Sequence, residues 1–220
     1  MKKSLIVALF VASLALASAG CLTSLHPWFT QDDLVFEPAL IGTWQAVSSP
    51  DVTWTFERHD DTTYTLIDTR NQDEPRADPK ANKKKLVTSR LTARLMRLGQ
   101  QRFLDISPGD NWNDSEMLQA LLVNSHVLAK VSLDGDTLHT EFLNGDWLEA
   151  ALGDKRIVLS HEVVDASGAA DDPPTRIHSS SRRVLLTAPT WELRTFLTKY
   201  ANTAGTFQDD DPMRRKPPAR

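Results

Sequence analysis

A two-residue alternation of apolar and polar side chains, repeated in segment after segment, restricts this chain more than any other feature. In Thr53-Trp54-Thr55-Phe56-Glu57, Trp54 and Phe56 fall on one face, and in Thr63-Tyr64-Thr65-Leu66 so do Tyr64 and Leu66. Successive strand side chains point to opposite faces, so each segment has the pattern of a half-buried strand. Asp60-Asp61 between them supplies turn chemistry, which predicts a hairpin. Residues 86–98 predict a longer strand, with Leu91, Ala93 and Leu95 opposite Arg90, Thr92 and Arg94. Across Gly99-Gln100-Gln101 it should pair with Phe103-Leu104-Asp105-Ile106. From His126 the alternation gathers Val127, Ala129, Val131 and Leu133, and Asp134-Gly135-Asp136 turns the chain into a strand over 137–143. With Gly42–Val47, 156–164 and 182–187, about nine strands result, many at hairpin spacing. The expectation is a mainly β domain, an antiparallel barrel or strongly curved sheet of about eight to nine strands, without βαβ units.

Helical periodicity is confined to a few places. Leu193, Phe196, Leu197 and Tyr200 share a helical face after Thr187-Ala188-Pro189, with Thr187 as the expected cap, Pro189 in the first turn and Glu192 near the positive end. Two shorter helices are expected at 115–123 and 145–152. The stretches 69–85 and 165–181 are polar and rich in charge, Pro or Ser, and are expected as surface loops. The tail over 204–220 has few apolar residues and is expected to be disordered.

The N-terminus carries an address. Met1-Lys2-Lys3 precedes an apolar run over residues 5–17 that is short for a bilayer span, and Ser18-Ala19-Gly20 follows directly before Cys21. The arrangement resembles the bacterial lipobox, with Ser18 where Leu is commoner. The resemblance implies a signal peptide over 1–20 and an acylated Cys21 at the mature N-terminus. Cys21 is also the one cysteine of the 220 residues, so no disulfide can form within the chain. Each acyl methylene buried in a bilayer contributes about 0.8 kcal/mol, so several chains on one cysteine hold a soluble domain on a membrane. Leu22 rather than Asp follows, which by analogy favours the periplasmic side of the outer membrane. The segment 21–40 contains Trp28, Phe29, Leu34 and Phe36, unlike a flexible linker, and is expected to pack on a single domain over 41–203.

Removing residues 1–20 takes Lys2 and Lys3 from 25 basic residues, leaving 23 against 29 acidic ones and a formal charge of −6. A mildly acidic surface argues against nucleic acid as a partner. No G-x-S-x-G elbow or phosphate-binding glycine loop is present. In Ser160-His161-Glu162, neighbours along a strand face opposite ways and cannot form a triad together. His139 and Glu141 share a strand face, and His161 with them could ligate zinc if strand register brought the three together. No register requirement or H-x-x-x-H spacing supports a metal, so no cofactor and no catalytic residue is expected.

Gly42-Thr43-Trp44 opens the first long strand, about twenty residues after Cys21. It resembles the G-x-W motif of lipocalins, which implies a barrel whose indole packs across its closed end. The chain has no T-D-Y-like second motif. The passage over 22–44, and Thr187-Ala188-Pro189-Thr190 with the helix after it, also look like a family of uncharacterised bacterial lipoproteins. That family implies no mechanism.

Two functional expectations remain open. In the first, Trp54, Phe56, Tyr64, Leu66, Leu91, Leu95, Val127 and Val131 line a cavity for a small apolar ligand. In the second, an envelope assembly or interaction protein, the same residues fill a solid core, and an exposed apolar patch appears elsewhere, at Trp147 or Trp28.

Overall fold

The computed structural model describes residues 22–73, 84–109, 123–165 and 182–217. The expected signal peptide and Cys21 lie outside these residues, as does the helix expected over 115–123 except for Val123. The strands are β1 (Thr23–Ser24), β2 (Gly42–Ala46), β3 (Thr53–Arg58), β4 (Thr63–Asp73), β5 (Lys84–Leu98), β6 (Gln101–Pro108), β7 (His126–Asp134), β8 (Thr137–Leu143), β9 (His161–Asp165), β10 (Arg182–Leu186), β11 (Phe207–Asp209) and β12 (Met213–Arg215). The described residues also form two helices, α1 (Gly145–Gly153) and α2 (Thr190–Tyr200), and two 3-10 turns, Gln31–Asp33 and Pro38–Leu40.

β2 to β8 form an antiparallel meander in which each strand pairs with the next. β12 then enters between β8 and β2, antiparallel to both, and closes an eight-strand barrel. The mainly β antiparallel barrel expected from the alternation is therefore present, and it fits the lipocalin-like form that the G-x-W resemblance implies. The closing strand is a correction, because it lies in the tail expected to be disordered. Phe207 and Met213 are too isolated to make an alternation, yet the ordering comes from two edges already waiting for a partner. Phe207 pairs with Leu143, the Asp210 N–H donates to the Thr140 carbonyl at 3.0 Å, and Met213 is buried opposite Ala46 and Leu138. Between β11 and β12, the Asp211 carboxylate accepts from the Ser48 and Ser49 amides at 2.8–3.1 Å and ties the tail to the β2–β3 turn.

Other boundaries also moved. The loop expected over 69–85 is partly strand: the β4–β5 ladder continues to Asp73 and Lys84. Polar residues such as Thr69 and Thr88, whose hydroxyls lie 3.3 Å apart, satisfy that ladder without any apolar face to reveal it. Residues 156–160 are not strand. The Arg156 and Ile157 amides turn back onto the Ala151 carbonyl, finishing α1, and Ile157 and Leu159 are buried. Helix α2 begins after Pro189, which has no side-chain cap, while the Thr187 amide bonds to the Ser160 carbonyl. Its expected stripe is buried at Leu193, Phe196 and Leu197.

Apolar residues collect in two cores. One fills the barrel, with Trp44, Trp54, Phe56, Tyr64, Leu66, Leu95 and Leu104 among its members. The other lies on the outside of β5–β7, where Met96, Phe103 and Leu128 face outward beneath Trp28, α1 and α2. These strands are therefore covered on both faces, and Phe103 to Ser107 is buried without a break. Beyond Ala129, β7 exchanges β8 for β1, which pairs parallel to β10, and β9 completes this extension.

Gly42 has φ +125°, a conformation essentially reserved for glycine, and a Cβ there would stand 2.9 Å from an Arg215 guanidinium nitrogen. Gly42→Ala should lower the unfolding free energy by about 1–3 kcal/mol in urea titration. Gly135→Ala, at φ +56° with open space around it, should lose less.

Candidate functional site

The barrel interior is the first place to look for a ligand, and its rings interlock. Trp54 meets Phe56 edge-on at 6.1 Å between centroids, Phe56 meets Tyr64 at 6.0 Å, and Phe142 meets Trp54 at 6.3 Å. Phe36, from the N-terminal segment, stacks on Tyr64 at 4.8 Å. The Glu37 amide donates to the Tyr64 hydroxyl at 2.6 Å, and burial pushes that phenol above its ordinary range. A side chain lining an internal cavity would be touched by water-sized space from within. Tyr64 and Leu66 are 0% exposed and Phe56 is 1% exposed, so these three fill space rather than enclose it.

The sequence-predicted lining set thus divides. Trp54, Phe56, Tyr64, Leu66, Leu95 and Val131 are together in the inner core. Leu91 packs on the edge of that core and is half-buried. Val127 is half-buried and belongs to neither core, because it sits where β7 leaves β8 and pairs with Thr23.

One end of the barrel is stoppered by the 3-10 turn Pro38–Leu40. The Trp44 indole N–H donates to the Leu40 carbonyl at 2.9 Å, and the Arg215 guanidinium lies 4.2 Å from the Trp44 ring centroid. Arg215 also donates to the carbonyls of Ile41, at 2.7 Å, and Ala39, and pairs with Asp136 at 3.2 Å. A cleft of about 180 Å³, part of it open to solvent, lies at this end between Glu37, Leu40, Leu95, Arg102, Val131, Ser132 and Leu133. The room in it for water is about one molecule, and Arg102 reaches Glu37 across it at 3.2 Å. Toward the other end, Asp68 points inward with Tyr64 and Leu66. Its carboxylate accepts the Trp54 indole N–H at 3.0 Å and two Arg70 bonds at 2.7 and 2.8 Å.

No protein-family model, curated protein or solved structure matches the chain.

The metal candidates are not brought together. Glu141 on β8 pairs with Lys130 at 3.2 Å. His139 stands opposite Ser132 on the exposed side of the same strand. His161 is on β9, beyond β1 and β10, and its Nδ1 bonds to the Leu159 carbonyl at 2.8 Å. Among the described residues, no three metal-capable side chains gather.

Two polar groups that sequence reasoning missed lie in the outer core. Asp105 is fully buried. One oxygen lies 2.7 Å from His126 Nδ1, and the other accepts the Trp28 amide at 2.9 Å. An aspartate between Leu104 and Ile106 looks like the polar side of an alternating strand, and only the covered outer face makes it interior. Asp33 accepts from the Thr30 amide and hydroxyl, both at 2.7 Å, and from Arg194 of α2 at 2.6 Å. Burial raises the Asp33 carboxyl, but the Thr30 and Arg194 bonds together outweigh it and hold the group below its ordinary value of 3.8.

The sign of that linkage is definite. A depressed carboxyl contributes stability that is fully present above 3.8 and is lost as pH falls through the folded value. Arg194→Gln should therefore be less stable than the parent near neutral pH, and the gap should narrow below about pH 3.8. Urea titrations across that range measure it; a gap independent of pH would contradict the coupling.

Proposed function

We propose that this chain is a lipid-anchored protein of the bacterial cell envelope, acting without catalysis, whose packed barrel serves as a scaffold for contact with another envelope component. The observation that carries this choice over a small-molecule carrier is the burial of Tyr64 and Leu66 at 0% and of Phe56 at 1%, within a network of ring contacts. A carrier would need those side chains to stand apart. The anchor rests on the leader over 1–20 and on the placement of the chain's one cysteine directly after Gly20. Leu22 in the next position favours the periplasmic face of the outer membrane by analogy with lipoprotein sorting. The surface expected for partner contact is corrected: Trp28 is 0% exposed, and Trp147 is half-buried against Phe196 and Tyr200.

Two measurements test the proposal. Cells expressing the full chain and fed labelled palmitate should yield a labelled, membrane-associated protein, and Cys21→Ala should abolish the label and leave the leader uncut. A parent chain that stays unlabelled would end the anchor reading. Titration of the purified protein with a fluorescent long-chain fatty acid should show no saturable one-to-one binding. Saturable binding that Leu66→Trp weakens would return the barrel to a carrier role.

A further inference from the structure

Large apolar side chains are exposed at seven described positions, and four of these, Val158, Val163, Val164 and Trp191, lie along one margin of the fold. Val163 and Val164 are on β9, the last strand of the β1–β10–β9 extension. They alternate between the two faces of that strand, yet both are nearly half exposed, and among the described residues the strand is the edge of the sheet. Val158, 89% exposed, lies just before the strand. Trp191, 68% exposed, opens α2 and is held beside it, because Glu192 accepts the Ser160 amide at 3.0 Å and the Thr187 amide bonds to the Ser160 carbonyl at 2.9 Å.

The start of the folded chain lies two strands inward from this margin. Leu22 is buried in the outer core, and Thr23 and Ser24 are paired on both sides, with β7 and with β10. Thr23 stands opposite Leu185, and Val163 opposite Val184, so Val163 is two strands from the chain's entry point. At the usual strand spacing that is about 10 Å. Cys21 is bonded directly to Leu22, and consecutive Cα atoms are about 3.8 Å apart. An acyl group on Cys21 would therefore have no spacer between itself and the fold, and a bilayer that received it would lie within about 10 Å of this margin. Tryptophan is suited to that position, with an apolar ring for the acyl boundary and an N–H for the headgroups. Among the described residues β9 pairs on one side only, with β10, and an edge whose backbone groups need water suits the headgroup depth rather than the acyl core.

We propose that the margin formed by β9, Val158 and Trp191 docks on the lipid bilayer, seated at the boundary between headgroups and acyl chains. The inference rests on acylation of Cys21 as proposed above. It fixes the orientation of the domain, with β3 facing away from the membrane, since β3 lies opposite β7 in the eight-strand ring.

The test uses the full chain purified from membranes, with the mass of its N-terminus measured first. Once Cys21 is acylated, an introduced cysteine is the single free thiol, because the chain has one cysteine. Nitroxide labels are placed through Val158→Cys, Val163→Cys, Trp191→Cys and, on β3, Glu57→Cys. Each protein is reconstituted in phosphatidylethanolamine–phosphatidylglycerol vesicles. Labels at 158, 163 and 191 should collide several-fold more with oxygen, relative to a water-soluble nickel complex, than the label at 57. If all four behave as aqueous while the mass confirms acylation, the docking face is wrong and the anchor stands; a protein or a second copy then covers the margin. If Cys21 carries no acyl group, the anchor reading fails and the docking falls with it.

Discussion

A curved sheet becomes a barrel only when some strand pairs with both of its edges, and here that strand is three residues long. Met213 to Arg215 bonds to β8 on one side and β2 on the other. Closure removes the unpaired edges that would otherwise recruit other chains. So short a ladder needs reinforcement, and Arg215 supplies it. Its guanidinium lies over Trp44, holds the Ile41 carbonyl and pairs with Asp136, spanning the first strand and the last turn of the meander. Gly42 leaves room for that guanidinium. The G-x-W motif is thus half of a device whose other half is a cation from the far end of the chain.

The second organising constraint is that β5–β7 serve two cores. Alternate residues of these strands pack into the barrel or under the N-terminal segment and the helices, so the outer layer is as much part of the fold as the ring. The buried Asp105 belongs to this layer. A carboxylate taken out of water is costly unless its oxygens are satisfied, and His126 and the Trp28 amide satisfy them. The Asp33–Arg194 contact does similar work between the N-terminal segment and α2. Both fix the N-terminal segment against the outer face of the barrel.

The meander was legible because half-buried strands write their burial into every second residue. Trp54, Phe56, Tyr64 and Leu66 announced the inner face, and Leu193, Phe196 and Leu197 announced the docking face of α2. What escaped was written in other terms. β12 is too short for a pattern and takes its stability from partners elsewhere in the chain. The outer end of β4, Thr69 to Asp73, is polar throughout and pairs with β5 without an apolar alternation of its own. Asp105 occupies a position that looks solvent-facing until a second layer covers it. The interior itself was the hardest to read. Inward alternation is the same whether a barrel is hollow or full, and what the structure adds is that Trp54, Phe56 and Tyr64 touch one another.

Amide hydrogen exchange tests the closing strand most directly. The amides of Val47, Arg215 and Lys216 donate to Pro212, Asp136 and Thr43 across the two seams at 3.0, 2.9 and 2.7 Å. If β12 is an integral stave, they exchange only through global unfolding, with the same opening free energy as the Ala46 amide, which bonds to Val52 within the β2–β3 hairpin. Exchange of the Arg215 and Lys216 amides at the rate of an unstructured peptide, while Ala46 stays protected, would mean the barrel stands open along β2 and β8.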